Sequence, residues 1–164
     1  MVKWSGVVKK LNIFDSNVWI NGLAEDVPEA TQLIQETVDQ ERVVGVSAYI
    51  CEEVNRNIQY EYGSGEYTDD LLSTFNKLLS ASNVISPGLR EISKMDTTEV
   101  RNSQSALFVG RILGVQPKDA PIVRFAWEHR GEQPRIFSTD ESFAELDPAD
   151  YDLEEISMEY IDPN

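Results

Sequence analysis

Three short runs with little polar alternation constrain this chain more than any other feature. They are Leu11-Asn12-Ile13-Phe14, Val43-Val44-Gly45-Val46 and Arg135-Ile136-Phe137-Ser138. Runs of this kind read as strands covered on both faces. Helix-length stretches separate them. Pro28 can open a helix, with Glu29 in its first turn and Leu33, Ile34, Thr37 and Val38 on one face. A second helix is predicted from Ser47 to Tyr60. Thr68 is placed to cap a third, with Asp69 and Asp70 at its positive end and Leu71, Leu72, Phe75, Leu78 and Leu79 as its apolar face. Residues 59–65 between these two read as a mobile insertion. Asn83-Val84-Ile85 reads as a short strand and Pro87-Gly88 as a turn.

The second half repeats the alternation. Asp96 can cap a helix, with Glu99 three residues on, as in a capping box, and Gly114 as its stop. Pro117-Lys118-Asp119-Ala120-Pro121 opens the next, which is expected to reach Arg130. A turn at residues 141–146 and a last strand near residues 156–161 follow. Strands separated by helices predict an α/β fold with a mainly parallel sheet. No linker or repeat interrupts residues 1–164, which read as a single domain with an acidic C-terminal segment, residues 140–164.

Four carboxylates occupy informative positions. Asp15 and Asp140 end two predicted strands, the side of a parallel sheet where ligands bind. Asp119 starts a helix that must pack on the same sheet. On a helical wheel Glu53 falls about 60° from Ile50, beside the stripe Ile50, Val54 and Ile58, whereas Glu52 falls about 160° away. Glu52 stands four residues before Arg56, a surface pair, and Glu53 has Asn57 at that spacing and no cation. Taken singly, Asp15 with Asn17 makes a turn and Asp119 an N-cap. Taken together, four converging carboxylates repel one another and raise a pKa. A divalent cation relieves that repulsion. Oxygen ligands without cysteine or histidine suit Mg2+ or Mn2+ rather than zinc, and such an ion activates water and stabilises charge on a phosphate. Cys51 reads as a buried thiol, His129 as a helix-end residue, Trp19 and Trp127 as packing residues, and Trp4 as exposed.

The segments around these acids resemble a known family. Asn12-Ile13-Phe14-Asp15-Ser16-Asn17-Val18-Trp19-Ile20 is similar to the opening strand of PIN-domain ribonucleases. Ser47, six residues before Glu53, matches the second segment of that family. Asp119-Ala120-Pro121-Ile122 resembles the third, and Ser138-Thr139-Asp140-Glu141-Ser142-Phe143 the fourth. The resemblance covers residues 12–143 in the family's order. It implies a three-layer α/β/α fold and a metal-dependent endoribonuclease that hydrolyses RNA phosphodiester bonds, often as the VapC-type toxin of a type II toxin–antitoxin pair. Asp15, Glu53, Asp119 and Asp140 would be its catalytic, metal-binding acids. Asn17 would brace the Asp15 loop, and Ser138 would hydrogen-bond an acid or the water. An antitoxin and a homodimer are the implied protein partners. The chain departs from the pattern at Pro121, in an added segment over residues 59–88, and in its acidic C-terminal segment. Two rival readings are a non-catalytic PIN-like interaction protein and a phospho-receiver domain. The second lacks its paired acids near the first strand and its late lysine.

RNA would have to approach an acidic surface. The chain has 164 residues and a net charge of -15, from 14 basic and 29 acidic residues. Lys118, Arg124, Arg130 and Arg135 lie near the third and fourth motifs and are the expected RNA contacts, with ion pairing as the competing reading. The charge excludes a uniformly basic nucleic-acid grip. The single cysteine excludes a disulfide scaffold. No apolar run approaches a membrane span, and Met1-Val2-Lys3-Trp4 opens no signal peptide, so a cytoplasmic protein is expected. Residues 140–164 hold ten acids and no Lys or Arg. Such a surface suits a halophilic cytoplasm, because at 1 M salt the Debye length is only about 3 Å. The melting temperature is therefore expected to rise between low and molar salt, and a flat or falling scan would contradict this.

Overall fold

The first apolar run becomes the central strand of a parallel sheet. The computed structural model describes residues 10–164 and the backbone of Lys3–Trp4 (β1) and Val7–Val8 (β2), which pair antiparallel. The side chain of Trp4 and the Met1–Val2 start lie outside the described residues. Leu11–Phe14 (β3) lies between Val43–Gly45 (β4) and Arg135–Ser138 (β6). Val84–Ile85 (β5) joins β4, and Ser157–Tyr160 (β7) joins β6. All four pairings in the order β5-β4-β3-β6-β7 are parallel. Leu11, Ile13 and Phe14 are fully buried, as both-face coverage requires. Asn12, polar within this strand, is satisfied: its amide donates to Val43 O at 2.9 Å and its oxygen accepts from Arg42 at 2.9 Å.

Helices cover both faces, giving a three-layer α/β/α fold. They are Ser16–Leu23 (α1), Pro28–Val38 (α2), Ala48–Tyr62 (α3), Glu66–Leu79 (α4), Leu89–Ser93 (α5), Thr97–Arg101 (α6), Gln104–Leu113 (α7), Ala120–Glu128 (α8) and Glu141–Ala144 (α9). Trp19 of α1 joins the core, with its ring 5.3 Å from Phe14 and 5.1 Å from Phe75. Cys51 is buried as expected, and burial pushes its thiol up to about 12. Trp127 is half-buried beneath the Arg130 guanidinium, 4.4 Å away. Among the described residues no helix is long and apolar enough to cross a membrane.

Several boundaries differ from the sequence reading. Thr68 does not cap α4. Gly65, at φ 146°, lets the chain turn into the helix earlier, and the buried Thr68 hydroxyl donates to Gly63 O at 3.0 Å. Residues 59–62 finish α3 instead of forming an insertion, and Tyr62 donates to Asp26 at 3.0 Å. Asp96 caps α6 by accepting from Glu99 N–H at 3.1 Å, but that helix stops at Arg101. Ser103 then caps α7 by accepting from Ala106 N–H at 3.1 Å. Gly114, at φ 70°, ends α7 as predicted. The acidic C-terminal segment is built into the sheet through β7, and Ile156 and Ile161 anchor it in the core.

Close packing of α1 on α2 is testable at Gly22. A Cβ there would lie 2.7 Å from Ala30 O. Gly22→Ala is expected to lower stability by about 1–3 kcal/mol, read as a lower urea midpoint. An unchanged midpoint would contradict this packing.

Candidate functional site

The β3–β6 pairing brings two acids together first. Asp15 N–H donates to Phe137 O at 3.0 Å, extending the ladder past Phe14. The Asp15 side chain then caps α1, with Oδ1 accepting from Val18 N–H at 3.0 Å. Its Oδ2 accepts from Ser138 Oγ at 2.5 Å. Ser138 is fully buried at the end of β6, and its Oγ in turn accepts from Asp140 N–H at 3.0 Å. Asp140 caps α9, with Oδ1 accepting from Phe143 N–H at 3.3 Å. One serine hydroxyl therefore joins both strand ends. Asn17 is exposed, and its contribution to Asp15 is its backbone N–H.

The other two acids arrive from helices. Asp119 stands at the N-cap position of α8 yet makes no capping bond. It is only 8% exposed, and among the described residues its carboxylate has no hydrogen-bond partner. Glu53, on the inner side of α3, is 6% exposed. The sequence reading left it without a cation. The fold supplies Arg101 from α6, whose Nη2 donates to Glu53 Oε2. Arg101 Nε also donates to Tyr49 OH at 2.9 Å, and its guanidinium lies 5.8 Å from the Tyr49 ring centre. Tyr49 OH donates to Lys118 O at 2.7 Å, next to Asp119. Tyr49 precedes Glu53 by one helical turn, a spacing that could have marked it. Arg101 is 48 residues from Glu53, and no local pattern points to it. Arg56 donates to Thr97 Oγ1 at 2.5 Å, and among the described residues the expected Glu52–Arg56 surface pair does not form.

The acids feel one another. Burial pushes Asp15 up to about 6; the Ser138 and Val18 bonds pull it down, and Asp140 adds to the rise. Burial also pushes Asp119 up to about 7; Lys118 opposes this, while Asp140, Asp15 and Glu53 reinforce it. Glu53 is raised by burial, held down by Arg101 and raised again by Asp15. All four acids thus share one electrostatic environment. Among the described residues, however, no three His, Cys, Asp or Glu side chains are already gathered as a ligand shell.

The expected RNA-contacting cations divide. Lys118 is exposed and acts on both Asp119 and Glu53. Arg124 and Arg130 are exposed near α8. Arg124 donates to Ser105 at 3.1 Å, and Arg130 donates to Trp127 O at 3.0 Å. Arg135 is not at this site. It opens β6, at the far end of the strand from Ser138, and pairs with Glu159 at 3.0 Å. No protein-family model matches the chain and no curated protein matches it, so the residues and their placement carry the functional reading.

Raised carboxylate pKa values make a signed prediction. Between about pH 4 and 7 the folded chain keeps protons at Asp15 and Asp119 that the unfolded chain has released. Ionising these groups therefore lowers stability as pH rises through that window. Asp119→Asn is expected to exceed the wild type in stability at pH 8 by roughly 2–4 kcal/mol, with the gap closing towards pH 4. Urea midpoints across this range check it, and a gap independent of pH would contradict it.

Proposed function

We propose that this chain is a metal-dependent endoribonuclease of the PIN-domain type, using Mg2+ or Mn2+ at the acid cluster. The observation that carries this reading is Asp119, buried near three other acids and, among the described residues, without a hydrogen-bond partner. A buried carboxylate with no donor is costly unless a charge answers it. The oxygen-only donor set of Asp15, Glu53, Asp119 and Asp140 fits a hard divalent cation. When bound, such an ion supplies an activated water and stabilises charge on a phosphate.

The chain's own residues prepare the site. Ser138 and the Val18 N–H fix the Asp15 carboxylate. The Phe143 N–H holds one oxygen of Asp140. Lys118, exposed, places a positive charge near Asp119 and Glu53, where an RNA phosphate would approach. The same reading gives the chain an RNA substrate and, if it serves as a toxin, an antitoxin and a homodimeric state. A second reading, a PIN-like interaction protein without catalysis, draws on the commitment of Glu53 to Arg101 and on the lack of a gathered ligand shell.

RNA cleavage assays at low and molar salt test the proposal. Activity is expected with Mg2+ or Mn2+, to be lost with EDTA, and to fall in Asp119→Asn on the order of 100-fold, the scale of one positioned catalytic group. Cleavage that is indifferent to EDTA and to Asp119→Asn would overturn it. Calorimetric titration with Mn2+ separates the second reading: weaker binding in Asp15→Asn and Asp140→Asn supports the nuclease, and unchanged binding supports the scaffold.

A further inference from the structure

Arg101 is built into the site. Its fork spans Tyr49 OH and Glu53, and its plane lies over the Tyr49 ring. The short helix that carries it is pinned to α3 by the Arg56–Thr97 bond at 2.5 Å. Tyr49 fixes the other side by donating to Lys118 O at 2.7 Å. A planar guanidinium held at both Nε and Nη2 is fixed far more firmly than a surface ion pair.

The four acids are therefore not equivalent. Glu53 has a guanidinium against it. Among the described residues Asp15 has neutral donors, the Ser138 hydroxyl and the Val18 and Asn17 N–H groups. Asp140 has one backbone N–H on its side chain. Among the described residues Asp119 has no hydrogen-bond donor, and the cation acting on it is the exposed Lys118. Formal charges follow the same division. Glu53 and Arg101 cancel. Three aspartates less one lysine leave two negative charges, which one divalent ion neutralises.

We infer that Arg101 takes the place of a second cation at Glu53, so that the site binds one divalent ion through Asp15, Asp119 and Asp140. Glu53 is then a positioning residue. It holds Arg101 against the Tyr49 hydroxyl that bonds Lys118 O, where the guanidinium can donate to a phosphate oxygen of the substrate. This inference rests on the metal-dependent reading above and narrows it: one ion rather than two, and three ligands rather than four.

Calorimetric titration with Mn2+ alone, with no RNA present, tests the division. The wild type is expected to bind one ion per chain. Glu53→Gln keeps an acceptor for Arg101 and should bind Mn2+ with close to wild-type affinity, whereas Asp119→Asn should lose about tenfold or more. Arg101→Met frees Glu53 and should bind Mn2+ more tightly or take up a second ion. Should either single variant fail to fold, the double variant Glu53→Gln/Arg101→Met removes both charges together and should still bind one ion as the wild type does. A loss in Glu53→Gln, or in the double variant, comparable to that in Asp119→Asn would overturn the inference. So would an Arg101→Met titration identical to the wild type's. If the wild type itself binds no Mn2+, the metal-dependent reading fails and the inference falls with it, an outcome distinct from wild-type binding that depends on Glu53.

Discussion

Parallel pairing of β3 with β6 is the contact on which the acid end of the molecule depends. It sets Phe14 opposite Phe137 and lets Asp15 bond to Phe137 O. Ser138 then reaches Asp15 across 123 residues of chain. The register has little freedom. The Phe14 ring sits edge-on to Phe137 at 5.4 Å and to Trp19 at 5.3 Å. A slip of one residue would turn these side chains to the opposite face and separate the two strand ends.

What the pairing assembles is unfavourable in isolation. Taking a carboxylate out of water raises its pKa unless donors or counter-charges intervene. The chain answers each acid differently: a hydroxyl and an amide for Asp15, an amide for Asp140, a guanidinium for Glu53 and an exposed lysine for Asp119. The acid with the weakest answer, Asp119, is pushed furthest among those with a resolved value, to about 7. On the proposed reading, a divalent cation would supply the counter-charge that Asp119 lacks. Asp15 and Asp140 do cap helices, so the capping and functional readings coexist in the same side chains.

Much of the architecture was legible because it depends on local rules. The buried runs at Leu11, Val43 and Arg135 became parallel strands, and the caps at Asp96 and Gly114 stand where their chemistry requires. The choice of Glu53 over Glu52 followed from helical periodicity alone, and Glu53 is the buried one. Most failures were non-local or turned on backbone conformation. Thr68 looked like a cap because Gly65's positive φ is not visible in side-chain chemistry. The break at Ser103 falls in the polar run Arg101-Asn102-Ser103-Gln104-Ser105, where Ser103 offered an N-cap signal that the single-helix reading passed over. Arg101 lies 48 residues beyond Glu53, and its role exists only once α6 is folded against α3. Arg135 was placed near the site by its position in sequence, but it begins the strand that Ser138 ends.

Carboxyl-carbon NMR titration of Asp15 and Asp119, without metal and then with Mg2+, bears most directly on this electrostatic picture. Without metal, midpoints near 6 for Asp15 and 7 for Asp119 are predicted, and Mg2+ should draw both down into the ordinary carboxylate range. Midpoints already near 3.8 without metal, and unmoved by Mg2+, would contradict the claim that these acids form one buried, cation-seeking site.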